Sequence, residues 1–150
     1  MKYTEPEREI PVVASGVNVL VVGAGPAGIA ASISAARSKT KVLLVENFGV
    51  LGGTSTASLV TTLPYRFILV NDGKRKVYEG IYKEFVDRLV SSEGISIAPE
   101  ETRAWNMYHP DIHGTMIPAD PEIMKYIYAK MVREAGVEVM LHTYTVDVIK

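Results

Sequence analysis

The 150-residue sequence contains no cysteine. That excludes a disulfide framework, a thiolate-held iron–sulfur cluster and a redox-active cysteine pair within the chain. It fits a reducing compartment such as the cytoplasm. An excess of either charge is also lacking, with 16 Lys and Arg against 17 Asp and Glu and a formal net charge of −1. Nothing in that balance draws the chain to nucleic acid or to an anionic membrane. There is no internal repeat and no low-complexity tract. Residues 19–36 carry no charge, but they are broken by Gly23, Gly25, Pro26 and Gly28 and are mostly small beyond that point. A membrane span of ~20 residues would carry large aliphatics throughout. A secretory signal would open with a basic segment, whereas "MKYTEPEREIP" bears both signs.

What is present is an apolar content of 47%, which fits a folded chain and not a disordered one. A chain of this length makes about one domain and buries roughly 70% of its unfolded surface. Residues 17–22 form an apolar run broken only by Asn18, as expected of a strand covered on both faces of a parallel sheet. A helix is expected from Pro26 to Arg37, with proline in the first turn and alanines supplying propensity. Lys41–Glu46 reads as a second buried strand, which completes a right-handed βαβ unit. Residues 9–14 lean toward an edge strand. Residues 47–64 read as loop with one short helical turn. Residues 65–70 read as a strand, followed by an Asn71–Asp72–Gly73 turn at the tip of a basic hairpin.

Ile81, Phe85 and Leu89 recur at helical spacing within a helix over 78–91 that Gly94 ends. Residues 95–118 read as irregular. Asp120, Pro121 and Glu122 open another helix, whose apolar stripe is Ile123, Met124, Ile127, Tyr128, Met131 and Val132 and which closes at Gly136. Val137–Leu141 and Thr143–Ile149 alternate like strands.

The junction of the βαβ unit reads Gly23-Ala24-Gly25-Pro26-Ala27-Gly28. In such a G-x-G-x-x-G turn the first glycine permits a tight exit from the strand. The second lets the backbone approach a pyrophosphate, and the third lets helix and strand pack closely. The helix then points free N–H groups at the anion. Glu46 lies 18 residues past Gly28, at the end of the next strand, where its carboxylate accepts ribose hydroxyls and repels a 2′-phosphate. The alternatives at this level are FAD and NAD. Two features favour FAD: about 90 residues separate Glu46 from "VEVML", and a Gly52–Gly53 pair follows the acid closely. His109 and His113 are four apart, but Pro110 and Gly114 argue for a loop and no third ligand is evident, so no metal site is expected. Arg66, Arg103, Tyr108, His109 and His113 are candidates for the substrate side, although surface or packing roles explain them as simply. No catalytic acid or base can be named.

The run "VVGAGPAGIAASISAAR…KVLLVENFGVLGGTSTASLV", with "EGIYKEFVDRLV" and "DPEIMKYIYAKMVREAGVEVMLHTYTVDVI", resembles the amino-terminal region of FAD-dependent oxidoreductases with the glutathione-reductase-like flavin fold. It is most similar to a bacterial group related to the fumarate reductase and succinate dehydrogenase flavoproteins. The resemblance implies an α/β, Rossmann-like FAD/NAD(P)-binding fold: a parallel sheet with a βαβ dinucleotide unit plus an inserted α+β segment. Expected divisions are residues 1–64 for the βαβ core and flavin loop, 65–118 for an insert on the substrate side, and 119–150 for a helix and strands returning to the FAD domain. Gly23, Gly25, Pro26, Ala27 and Gly28 would line the pyrophosphate. Glu46 would bind the ribose with Asn47 beside it. Gly52, Gly53, Thr54 and Ser55 would run toward the flavin, and the backbone at Thr145 would meet the adenine edge. With no cysteine, no cysteinyl link to the flavin is available.

The implied activity is hydride transfer between a small-molecule substrate and FAD. The alternatives are a nucleotide-binding fragment or split-protein half without a complete active site, and an NAD-binding module. The resemblance also implies a longer chain, in which a later Gly-Asp segment closes over the flavin. On that view the partner is the remainder of the fold, a complementary chain or a second copy, and residues 1–150 alone turn nothing over.

Overall fold

The computed structural model describes residues 11–70, 73–76, 79–95 and 113–148. Its elements in order are β1 (Val19–Val22), α1 (Pro26–Arg37), β2 (Val42–Val45), a single 3₁₀ turn (Gly53–Ser55), β3 (Thr62–Val70), β4 (Gly73–Lys76), α2 (Ile81–Ser91), β5 (His113–Pro118), α3 (Pro121–Glu134) and β6 (Glu138–Met140). They form two sheets, one ordered β1-β2-β6 and the other β4-β3-β5. The first is parallel throughout, with Val19 opposite Val42 and Leu43 opposite Glu138. The second is antiparallel.

The apolar run of β2 exists because this strand is central: all four of its residues are buried. Val42 and Leu44 face a helical layer into which α1 sends Ile29 and Ile33, α2 sends Phe85, Val86 and Leu89, and α3 sends Met124, Ile127, Tyr128, Met131 and Val132. Each large side chain fully buried this way contributes about 1.5–3 kcal/mol. The opposite face of the sheet is less covered, and β1, expected to be covered on both faces, has Leu20 56% and Val22 55% exposed.

The helix ends follow their sequence signals. Asp120 Oδ1 accepts hydrogen bonds from the N–H groups of Glu122 (2.7 Å) and Ile123 (3.2 Å), with Pro121 in the first turn. Gly136 closes α3 at φ 77°, a left-handed conformation that glycine adopts without a Cβ penalty. Gly94 follows α2 closely, since a Cβ there would lie 2.7 Å from Ile123 Cγ2 and 2.9 Å from Leu89 Cδ2.

An ion network crosses the outer surface of the helices. Arg37 of α1 meets Glu84 of α2 at 2.7 Å, Arg88 meets Glu84 at 2.7 Å, and Arg88 meets Glu134 of α3 at 2.7 Å. Partial burial works to raise the Glu84 carboxyl, but the hydrogen bonds and charges of Arg37 and Arg88 outweigh it and hold it below its ordinary range. Arg88 likewise holds Glu134 down.

Four expectations about elements change. Residues 95–118 are not wholly irregular, because β5 pairs with β3 from Thr62 opposite Pro118 to Leu69 opposite His113. The strand expected at 65–70 begins earlier, at Thr62, and its register shifts between Pro64 and Ile68; proline has no N–H for the ladder. Thr143–Val148 is not a strand. His142 stands at φ 52°, which turns the chain out of the line of β6, and its N–H donates to Phe48 O at 3.2 Å. Residues 11–14 also form no strand. Residues 9–10, Arg103, Tyr108 and His109 lie outside the described residues, as does most of the Asn71–Asp72–Gly73 turn.

Candidate functional site

At the carboxyl ends of the parallel strands, two glycine turns meet. The first leaves β1 at Gly23, whose φ of 92° favours glycine and whose N–H donates to Val45 O at 2.8 Å. Gly28 sits inside the bend, where a Cβ would lie 1.9 Å from Gly23 O. Gly25 is different. It precedes α1 with φ −70° and ψ 176°, and a Cβ there would meet nothing within 4 Å. The backbone itself therefore does not require glycine at 25, and the space beside it is open.

The second turn reaches back onto the first. Gly52 stands at φ 108° and its N–H donates to Ala24 O at 2.8 Å. A Cβ on Gly53 would lie 3.1 Å from Gly25 Cα, so the two backbones are in contact there. The turn is held from inside by short side chains. Ser55 Oγ donates to Gly52 O at 2.9 Å and Thr56 Oγ1 donates to Leu51 O at 2.6 Å, both in buried surroundings. Thr54 is exposed.

Glu46 ties the turns to β2. It is only 6% exposed. Its Oε2 accepts from the Ala24 N–H at 2.6 Å and its Oε1 from the Phe48 N–H at 2.8 Å. A carboxylate has about four acceptor positions, and these two N–H groups fill two of them. The next residue, Asn47, is exposed. The segment after β6 runs beside this group, with the Thr143 N–H donating to Glu46 O at 2.9 Å. Thr145 follows two residues later and is exposed.

Pro26 and Ala27 are exposed in the first turn of α1. That helix has no side-chain cap and no acidic residue in its first turn. Among the described residues, the N–H groups of Gly25, Ala27 and Gly28 have no hydrogen-bond acceptor. Uncapped N–H groups at a helix start, beside open space and free of acids, suit a phosphate-bearing ligand. A glycine-bounded cradle with a buried carboxylate one strand away fits the adenosine and pyrophosphate of a dinucleotide.

The structure thus brings Gly23, Gly25, Gly28, Glu46, Gly52, Gly53 and Ser55 to one junction. It also adds residues that sequence reasoning did not single out for the site. Thr56 is one. Tyr128 of α3 is another, buried at 4% exposure with its Oη 3.4 Å from Ser55 Oγ. Burial pushes the Tyr128 hydroxyl above the ordinary tyrosine range, against a smaller opposing effect of Ser55. The helical stripe marked Tyr128 as core, and nothing in its spacing linked it to a turn more than seventy residues earlier. The cleft of about 750 Å³ between α2 and α3 lies elsewhere: it is lined by Lys83, Glu84, Arg88, Lys130 and Glu134 and by no residue of the glycine turns. Arg66 and His113 fall in β3 and β5. Among the described residues, no helix is long and apolar enough to cross a membrane.

Residues 18–150 match the family described as FAD dependent oxidoreductase. A urocanate reductase of Eggerthella lenta is 29% identical over 99 residues, which is 63% of this chain and 16% of that protein. The structure of the Diels-Alderase PyrE3, from the biosynthetic pathway of pyrroindomycins, superposes with a TM-score of 0.50 at 12% identity, over 88% of this chain and 26% of that one. That likeness concerns the fold alone. Thermovibrio ammonificans THI4 superposes with a TM-score of 0.47 at 18% identity, over 83% of this chain and 38% of that one. The chain therefore spans about a sixth of the length of the reductase it matches. It belongs to the FAD dependent oxidoreductase family.

Proposed function

We propose that this member of the FAD dependent oxidoreductase family binds FAD at the paired glycine turns and serves a redox enzyme that acts on a small-molecule substrate. The observation that carries the reading is the junction itself. Glu46 is buried and bonds the backbone N–H groups of Ala24 and Phe48, and open space at Gly25 adjoins uncapped N–H groups on α1. In this reading Gly23, Gly25, Pro26, Ala27 and Gly28 hold the pyrophosphate, Glu46 accepts the ribose hydroxyls, and Asn47 lies beside them. Gly52, Gly53, Thr54 and Ser55 extend the cradle toward the flavin. The backbone at Thr145 meets the adenine edge.

FAD, when bound, supplies hydride chemistry, and the chain's own residues bind and orient it. The exposed apolar face at Leu20 and Val22 is where further chain of the same fold, or a complementary chain, covers the sheet. The buried acid disfavours NADP, whose 2′-phosphate would meet a carboxylate.

The test is to purify the protein, release any small molecule by denaturation and identify it by absorbance and mass, then to titrate the stripped protein with FAD, NAD and ADP. Release of FAD, or saturable FAD binding stronger than that of NAD, is the expected result. Preference for NAD, or no binding of any of the three, would overturn the reading.

A further inference from the structure

A chain of hydrogen bonds runs from α3 to the ligand side of both turns. Tyr128 Oη lies 3.4 Å from Ser55 Oγ. Ser55 Oγ donates to Gly52 O at 2.9 Å. The Gly52 N–H donates to Ala24 O at 2.8 Å. The Ala24 N–H donates to Glu46 Oε2 at 2.6 Å. Apart from the Ser55–Gly52 bond, which lies inside one turn, the contacts bridge separate segments, and they lead from a hydroxyl on α3 to the carboxylate at the end of β2. The ring of Tyr128 supports the same turn sterically, because a Cβ on Gly52 would come within 2.9 Å of its Cδ2. The ring is itself clamped by Phe85, stacked at 4.1 Å between centroids with 4° between planes.

We infer that Tyr128 is a positioning residue for cofactor binding: its hydroxyl fixes the Gly52–Thr56 turn in the conformation that receives the dinucleotide, and through that turn it fixes Ala24 and Glu46. This rests on the FAD reading for its ligand. It goes beyond core packing because packing alone asks only for an apolar ring or branched chain at this place in the stripe. A hydroxyl at 4% exposure adds a desolvation cost unless it is bonded.

The test separates the hydroxyl from the ring. Tyr128→Phe keeps the stack on Phe85 and removes only the oxygen. Leu89→Val is the comparison, since Leu89 packs against Gly94, away from the turns. Two measurements are made on each protein: backbone N–H exchange at residues 52–56 without ligand, and the FAD dissociation constant beside the melting temperature. The expected result is that Tyr128→Phe speeds exchange at 52–56 and weakens FAD binding about two- to tenfold, with little change in melting. Leu89→Val should lower melting and leave both turn exchange and FAD affinity of the folded protein unchanged. Unchanged exchange in Tyr128→Phe overturns the inference. So does faster exchange with unaltered FAD affinity, or a loss of affinity in both variants that simply follows their loss of stability. If wild-type protein binds no FAD, the proposed cofactor falls, and the exchange measurement still decides whether the hydroxyl sets the turn.

Discussion

The two sides of the first glycine turn make opposite demands on the sequence. On the packed side, Gly28 has no room: a Cβ would lie 1.9 Å from a backbone carbonyl. On the open side, Gly25 has ordinary backbone angles and empty space around its missing Cβ. One motif therefore contains a glycine required by the fold and another that the fold does not require. A requirement at Gly25 has to come from something that enters the open space. A motif match alone does not separate these two demands, whereas the surroundings of each glycine do.

The largest effect is expected from Gly28→Val. The neighbour is backbone at the end of a central βαβ unit and cannot move aside without separating α1 from β1. Overpacking of a core costs typically about 1–3 kcal/mol, and a backbone clash this close belongs at the upper end or beyond. The expected outcome is loss of cooperative melting by circular dichroism, or a markedly lower melting temperature. A variant as stable as wild type would mean that the close approach of helix and strand is not enforced.

Gly25→Val is the contrasting change. The fold should survive, with far-ultraviolet circular dichroism and melting close to wild type. FAD binding should fall below detection, because the side chain occupies the space the pyrophosphate needs. A folded variant with normal affinity would show that the open side of the turn serves no ligand.

Glu46→Ala tests the third element of the junction and is expected to act on both sides. Removing the carboxylate leaves the Ala24 and Phe48 N–H groups without their acceptor. The orphaned buried Ala24 N–H costs about 1–3 kcal/mol and the part-buried Phe48 N–H less, so melting should drop. FAD affinity of the folded fraction should weaken at least tenfold, roughly one lost charge-assisted hydrogen bond of about 1.5–3 kcal/mol. Lower stability with unchanged affinity would assign Glu46 to the fold alone.

The βαβ unit was legible because its signals are local. An apolar run, a glycine turn, a proline in the first helical turn and a second apolar run lie within thirty-odd residues. Glu46 was legible as a ribose acceptor by its place, but its two backbone N–H partners were not, since they depend on how the turn folds over it. β5 was missed because its pairing with β3 spans some fifty residues, and "HGTMIP" carries little alternation of its own. Thr143–Ile149 misled in the other direction. Its alternation is real, and Tyr144, Val146 and Val148 are all exposed, but among the described residues no neighbouring strand pairs with it, and alternation without a partner does not make a strand. Tyr128 looked like one more apolar position on α3; its reach to Ser55 is a tertiary fact that helical spacing does not carry.

The smallest effect is expected where the chain is held by charge at the surface. The ion network lies away from both turns and links three helices through Arg37, Glu84, Arg88 and Glu134. Glu84 and Glu134 have folded-state pKa values below the ordinary carboxylate value of 4.5. A carboxylate whose pKa is lower in the folded state binds its proton more readily when unfolded. Its stabilising contribution is therefore present above pH 4.5 and is lost as pH falls from there through the folded value. Arg88→Ala removes the partner common to both acids. At neutral pH and low salt it should lower melting by no more than about 2–4 °C, since partly exposed ion pairs contribute little and salt screens them. The same variant should lose somewhat less stability than wild type as pH falls below 4.5, because Glu134 loses its main partner and Glu84 keeps only Arg37. FAD affinity near pH 7 should not change, as the network touches neither turn. Parallel acid melting curves for the two proteins would show that the pKa depression comes from elsewhere. A change in FAD affinity would show that the helical surface and the glycine junction are coupled, and that the contrast between them is less complete than their separation in the fold suggests.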